Sequence, residues 1–239
     1  MAQEGIDETS VFGAGGYAPS ALERSEGSPG PWEGLTPQEQ ADLQDWVYGR
    51  FEAQAAQGDP GERPSAADLG AALRHRAPVW LRVNSARASV AEVAEQLERD
   101  GFGLAPPAVG APAALRVMEA PGKEPPRRLA QHAIVETGLV EFQDVSVQQA
   151  LARLPDAMAL SVLDYCAGGG GKSLALAARG AEVTAHDAEP QRMKELARRS
   201  AKAGAEITMR PPGQLGAAQF DLVLCAVPCS GSGAWRRVV

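Results

Sequence analysis

Apolar positions recur at helical spacing early in the chain and gather into short strand-like runs later. Residues 1–34 show neither pattern; they are rich in Gly, Ser, Pro and Glu and read as a disordered tail. Thr36-Pro37-Gln38-Glu39 is a capping box with Pro at the first helical position. The helix it opens carries Leu43, Trp46, Val47 and Phe51 as one stripe, with Trp46 as the expected core anchor. A linker from Gln57 to Pro64 and a helix from Ser65 to about His75 complete a helical segment over 35–76.

From Ala77 the texture changes. Ala77 to Val83 reads as a strand, Ser89-Val90-Ala91-Glu92 as a second capping box, and Val93, Ala94 and Leu97 as the apolar face of its helix. Gly101 ends that helix, and Ala114 to Met118 reads as another strand. Residues 77–140 therefore form a small α+β module with a basic loop at Lys123, Arg127 and Arg128. Val140 to Asp144 is expected to lead into a helix ending near Leu154, packed beside the next strand.

Residues 141–239 alternate strand and helix, the sign of an α/β domain. The strands run Val162–Tyr165, Glu182–His186, Glu206–Met209 and Phe220–Cys225. Helices are expected from Lys172 to Arg179 and from Pro190 to Ala203.

Composition narrows the class. No apolar run is long enough to span a membrane, and the acidic start Met-Ala-Gln-Glu-Gly is no signal peptide. The three cysteines, Cys166, Cys225 and Cys229, make neither a disulfide framework nor a zinc site, so no metal is expected and a reducing cytoplasm suits them. A net charge of −7 argues against a protein that coats nucleic acid, yet leaves room for local basic patches at Arg127-Arg128, Arg192 to Lys202 and Arg236-Arg237. The middle patch also reads as an ordinary solvated helix face.

The chemistry concentrates at Cys166-Ala167-Gly168-Gly169-Gly170-Gly171-Lys172, between a strand and a helix. Glycines there let a ligand rest on backbone N–H groups at a helix start. A phosphate-binding P-loop would need Gly where Cys166 stands, and a carboxylate at the end of the last strand, where Ala226 and Val227 stand. The dinucleotide pattern fails because Ser173 occupies its third glycine position. A loop of the S-adenosylmethionine (SAM) type has no such conflict. Asp187, just past the second strand, is then placed to accept two hydrogen bonds from a ribose diol. The plainer reading of Asp187 is a turn or N-cap residue before the following helix. Cys229, on the Gly/Ser-rich turn after the last strand, lies at the edge where open α/β sheets bind ligands. Its thiolate is a suitable nucleophile with Arg236 and Arg237 nearby, although a small turn residue is the bland alternative.

LDYCAGGGGKS, AHDAEPQR and FDLVLCAVPCSGSGAWRR together resemble the RsmB/Sun (NOL/NOP/Sun) family of SAM-dependent RNA cytosine-C5 methyltransferases. VEFQD at 140–144 and PVWLRVN at 78–84 resemble the family's segments just before the catalytic domain. The resemblance implies a Rossmann-like methyltransferase domain with strand order 3-2-1-4, preceded by a small module that holds RNA, ribosomal by analogy. It implies that Cys166 to Lys172 wrap the methionine end of SAM and that Asp187 holds its ribose. Cys229 then matches the cysteine that assists product release.

The departures are specific. The family's Asp-Ala-Pro-Cys is Ala226-Val227-Pro228-Cys229 here, and Arg210-Pro211-Pro212 stands where an Asp usually lies beside the adenine. The family's attacking cysteine sits in a Thr-Cys-Ser segment that does not occur before Val239. The expectation is a C-terminally truncated member with an incomplete sheet of about four strands, weak or absent SAM binding and no turnover by itself. The alternative is a non-catalytic RNA- or partner-binding remnant that uses the 77–140 module.

Overall fold

A computed structural model describes residues 36, 39, 43–57, 64–74, 77–119 and 122–228. The tail over 1–34, Cys229, Arg236 and Arg237 lie outside the described residues. Residues up to Ala77 and residues 78–228 belong to separate compact units.

In the first unit, Thr36 Oγ1 accepts the Glu39 N–H at 3.3 Å while Glu39 Oε2 accepts the Thr36 N–H at 2.8 Å, so the first capping box forms. Glu39 is itself helical, and a separate helix, α1, runs Asp45–Ala55 after non-helical Leu43 and Gln44. The buried face of α1 is Val47 and Tyr48, with Phe51 partly buried beside Leu43. Trp46 is therefore 66% exposed, with its indole N–H on Gln44 Oε1, and does not anchor a core. Helix α2, Ala66–Arg74, is capped by Ser65 and Asp68 in a reciprocal pair.

The second unit opens with an antiparallel sheet. Strands β1 (Val79–Val83), β2 (Gly103–Leu104), β3 (Ala114–Met118) and β4 (Val140–Phe142) lie in the order β2-β3-β1-β4. Helices α3 (Val90–Arg99) and α4 (Ala133–Glu136) belong to the same module. The Ser89–Glu92 capping box starts α3 as the sequence predicts. Leu81, Val83, Leu115, Val117 and Val140 meet Val93, Leu97, Phe102, Leu129 and Ile134 in one buried core. The alternation that buries Leu81 and Val83 turns Arg82 to the opposite sheet face, where Glu141 is its cross-strand partner.

Val140–Phe142 thus pairs with β1 as a strand, rather than simply leading into a helix beside the glycine-loop strand. Asp144 then caps helix α5, Val145–Ala152, through its Oδ1 and the Ser146 N–H. Gln148 on α5 donates to the Leu81 carbonyl, fastening the helix to β1.

Strands β5 (Ser161–Asp164), β6 (Glu182–Ala185), β7 (Ile207–Met209) and β8 (Leu222–Leu224) form a parallel sheet in the order β7-β6-β5-β8. In chain order this is 3-2-1-4. Helix α6, Gly171–Ala177, follows β5. The expected long helix after β6 is broken: a 3-10 turn at Pro190–Met193 precedes helix α7, Leu196–Ala203. Proline can start such a turn but cannot donate within it. Val162, Val183 and Leu176 build one core, and Leu174, Ala185, Met193 and Leu196 another. Val223 on β8 is half exposed.

Candidate cofactor site

The carboxyl ends of β5 and β6 carry the predicted residues to one edge. Beyond the strands the two chains stay paired: the His186 N–H donates to the Asp164 carbonyl, and the Ala167 N–H to the His186 carbonyl, each at 2.9 Å. Gly168 has φ +52° and Gly170 φ +79°, so the turn uses the left-handed region twice. The Gly170 N–H closes back on the Ala167 carbonyl. A Cβ on Gly170 would lie 2.1 Å from Leu196 Cδ1, so α7 packs directly on the loop.

Asp187 is buried and ties the loop to β6. Its Oδ2 accepts the Gly168 N–H at 2.9 Å, its Oδ1 accepts the Glu189 N–H at 3.0 Å, and Arg192 Nη1 lies 3.4 Å from Oδ2. The Glu189 bond is the turn role that the plain reading assigns; the Gly168 bond joins Asp187 to the glycine loop. A carboxylate offers about four lone-pair positions, so further acceptance remains open to it.

Cys166 is half-buried, Ala167, Gly168 and Gly170 are buried, and Gly169 is exposed. Lys172 is half-buried, close enough to Asp164 to favour its ionised form. Cys225, past β8, is an exposed free thiol. The structure therefore brings Cys166 to Lys172 and Asp187 together; Cys229 lies outside the described residues. Among the described residues, no group of three or more His, Cys, Asp or Glu is placed to hold a metal ion.

Several residues at this edge escaped the sequence reading. Asp164 is fully buried; its Oδ2 accepts the Ser173 hydroxyl at 2.7 Å, and its Oδ1 has no partner. Burial pushes its pKa up, against the hydrogen bond from Ser173 and the charge of Lys172. His186 Nδ1 lies 2.8 Å from the Arg210 carbonyl, and its ring leans on Tyr165 with centroids 4.9 Å apart. The available signal was positional: an aromatic side chain ends each of two neighbouring strands. Arg199, half-buried on α7, pairs with Glu141 at 2.7 Å and donates to the Gly169 carbonyl. Burial also pulls the Arg82 guanidinium down to about 10, although Glu141 opposes that shift.

Comparison with known proteins agrees with this architecture. The family described as 16S rRNA methyltransferase RsmB/F matches residues 149–238, and the RsmF/B-like ferredoxin-like domain matches 54–122. A ribosomal RNA small subunit methyltransferase B from Xylella fastidiosa (strain 9a5c) is 31% identical over 206 residues, covering 81% of this chain and 46% of the relative. The protein of that name from Citrobacter koseri is 32% identical over 179 residues, covering 70% and 39%. The chain thus spans under half the length of these curated relatives. A methyltransferase homolog from Pyrococcus horikoshii superposes with TM-score 0.64 at 22% identity, over 85% of this chain and 65% of that one. NSun6 from Pyrococcus horikoshii, crystallised with SFG, superposes with TM-score 0.59 at 12% identity, over 78% and 71%. Residues 149–238 carry the methyltransferase match and 54–122 the ferredoxin-like match, and the chain belongs to the RsmB/F family of methyltransferases.

Proposed function

We propose that this chain is the cofactor- and RNA-holding part of a cytoplasmic SAM-dependent methyltransferase acting on carbon 5 of a ribosomal RNA cytosine. The observation that carries the reading is the closure of the left-handed glycine loop onto buried Asp187. The residues fit SAM. Loop amides suit its carboxylate, and the lone pairs left on Asp187 suit ribose hydroxyls. When bound, SAM supplies an electrophilic methyl group on its sulfonium.

Carbon 5 of cytosine attacks only after a thiolate has added to carbon 6. In the family that thiolate belongs to a Thr-Cys-Ser segment, which these 239 residues do not contain. The roles proposed for the residues described are to bind SAM and to hold RNA on the module, and for Cys229 to assist product release. The relatives' names support an rRNA substrate. Photo-crosslinking of radiolabelled SAM tests the reading. Labelling should be suppressed by excess unlabelled SAM and by SFG, and left unchanged by ATP or NAD. Suppression by ATP or NAD, or no specific labelling, would reject it.

A further inference from the structure

The glycine loop is held from outside its own sheet. Gln143, just past β4, donates from Nε2 to the Gly171 carbonyl at 3.0 Å. Glu141, on β4 itself, pairs through Oε2 with Arg199 Nη2 at 2.7 Å, and Arg199 Nη1 donates to the Gly169 carbonyl. The Glu141 and Arg199 side chains are only 12% and 23% exposed, so water screens this pair weakly. In a trans peptide, a carbonyl and the following N–H point to opposite sides. Gripping the Gly169 carbonyl thus aims the Gly170 N–H at Ala167, where its 2.9 Å bond is seen. Gripping the Gly171 carbonyl fixes the Lys172 N–H in the same way.

The module also holds the far end of α7. Asn84 Nδ2 donates to the Ala203 carbonyl at 2.9 Å, and Arg87 Nη1 to the Lys202 carbonyl at 3.0 Å. These are last-turn acceptors that the helix cannot satisfy by itself. A Cβ on Gly138 would lie 2.3 Å from the Lys202 carbonyl oxygen, so the seam is close-packed there. Helix α7 is gripped at its C-terminus and bears on the loop through Leu196 and Arg199.

We infer that the module completes the cofactor site: Glu141, acting through Arg199, and Gln143 are positioning residues that set the shape of the glycine loop. This rests on the loop being the SAM site. The full chain is compared with Glu141→Ala, Arg199→Ala, Arg199→Lys and Gln143→Leu by SAM titration calorimetry and by backbone amide exchange of residues 168–172 without ligand. Glu141→Ala and Arg199→Ala should each weaken SAM by about 5- to 50-fold, the double variant no more than either single one, and loop amides should exchange faster. Arg199→Lys keeps the pair with Glu141 but loses the fork to Gly169, and should fall between wild type and Arg199→Ala. SAM affinity within about twofold of wild type in both alanine variants, with unchanged loop exchange, would overturn the inference. If Arg199→Ala fails to fold, Glu141→Ala and Gln143→Leu decide by the same criteria. If wild type binds no SAM, the cofactor reading falls, while loop exchange still decides whether the module holds the loop.

Discussion

Replacing Gly170 by Ala tests the packing beneath the proposed site. The added methyl meets two separate costs. At φ +79° a residue with a Cβ sits in the left-handed region, which costs about 1–2 kcal/mol. The methyl also arrives 2.1 Å from Leu196 Cδ1, and Leu196 is fully buried, so it has no solvent-side space into which to move. Overpacking of this kind costs about 1–3 kcal/mol. Together the change should destabilise the chain by about 2–5 kcal/mol, which lowers Tm by roughly 5–15 °C for a chain of this size. Thermal unfolding followed by circular dichroism measures it. Gly171→Ala is the control: its Cβ would meet nothing closer than Gln143 Nε2 at 3.6 Å, an ordinary contact. Adding Leu196→Ala to Gly170→Ala should remove the clash and leave the backbone cost, so the double variant loses less than the two single losses added together. A Gly170→Ala Tm within about 1 °C of wild type would refute the reasoning.

Other tests reach different parts of the molecule. Asp164 has its pKa raised by burial, so the folded state holds its proton at pH values where the unfolded chain has released it. Its ionisation therefore costs stability as pH rises through that window. Asp164→Asn should be stabilising relative to wild type at neutral pH, with the difference shrinking as pH falls toward the ordinary Asp value; denaturant midpoints between pH 4 and 8 check this. Arg127 and Arg128 are exposed on the module. Changing both to Ser should weaken binding of a ribosomal RNA fragment and lower the salt slope by about 1–2 charges, read by filter binding at several salt concentrations.

The parts that sequence made legible are those set by local chemistry. The Ser89–Glu92 box, the glycine turn and the apolar strands each carry their signal within a few neighbours, whereas the parallel order β7-β6-β5-β8 was implied by the family resemblance. The RsmB/F family was legible for the same reason, in short contiguous motifs. The misses are non-local or very short. β4 spans three residues and β2 two, too few for alternation to show. Trp46 has an apolar face to offer, but α1 packs through Val47 and Tyr48, which leaves Trp46 to solvent. Asp187 was found by its place after a strand, yet its bond to Gly168 depends on a turn that no spacing rule specifies. The Glu141–Arg199–Gly169 chain joins residues far apart in sequence, and Arg199 alone looked like one more charge on a solvated helix.

Calorimetric titration of SAM into the full chain, beside Asp187→Ala, tests the central claim most directly. The account predicts saturable binding to one site by wild type. It predicts at least about tenfold weaker binding by Asp187→Ala, a loss of about 1.4 kcal/mol, because that change removes both the proposed ribose acceptor and the Gly168 clasp. Equal SAM affinity in the two proteins, or no binding by wild type, would contradict it.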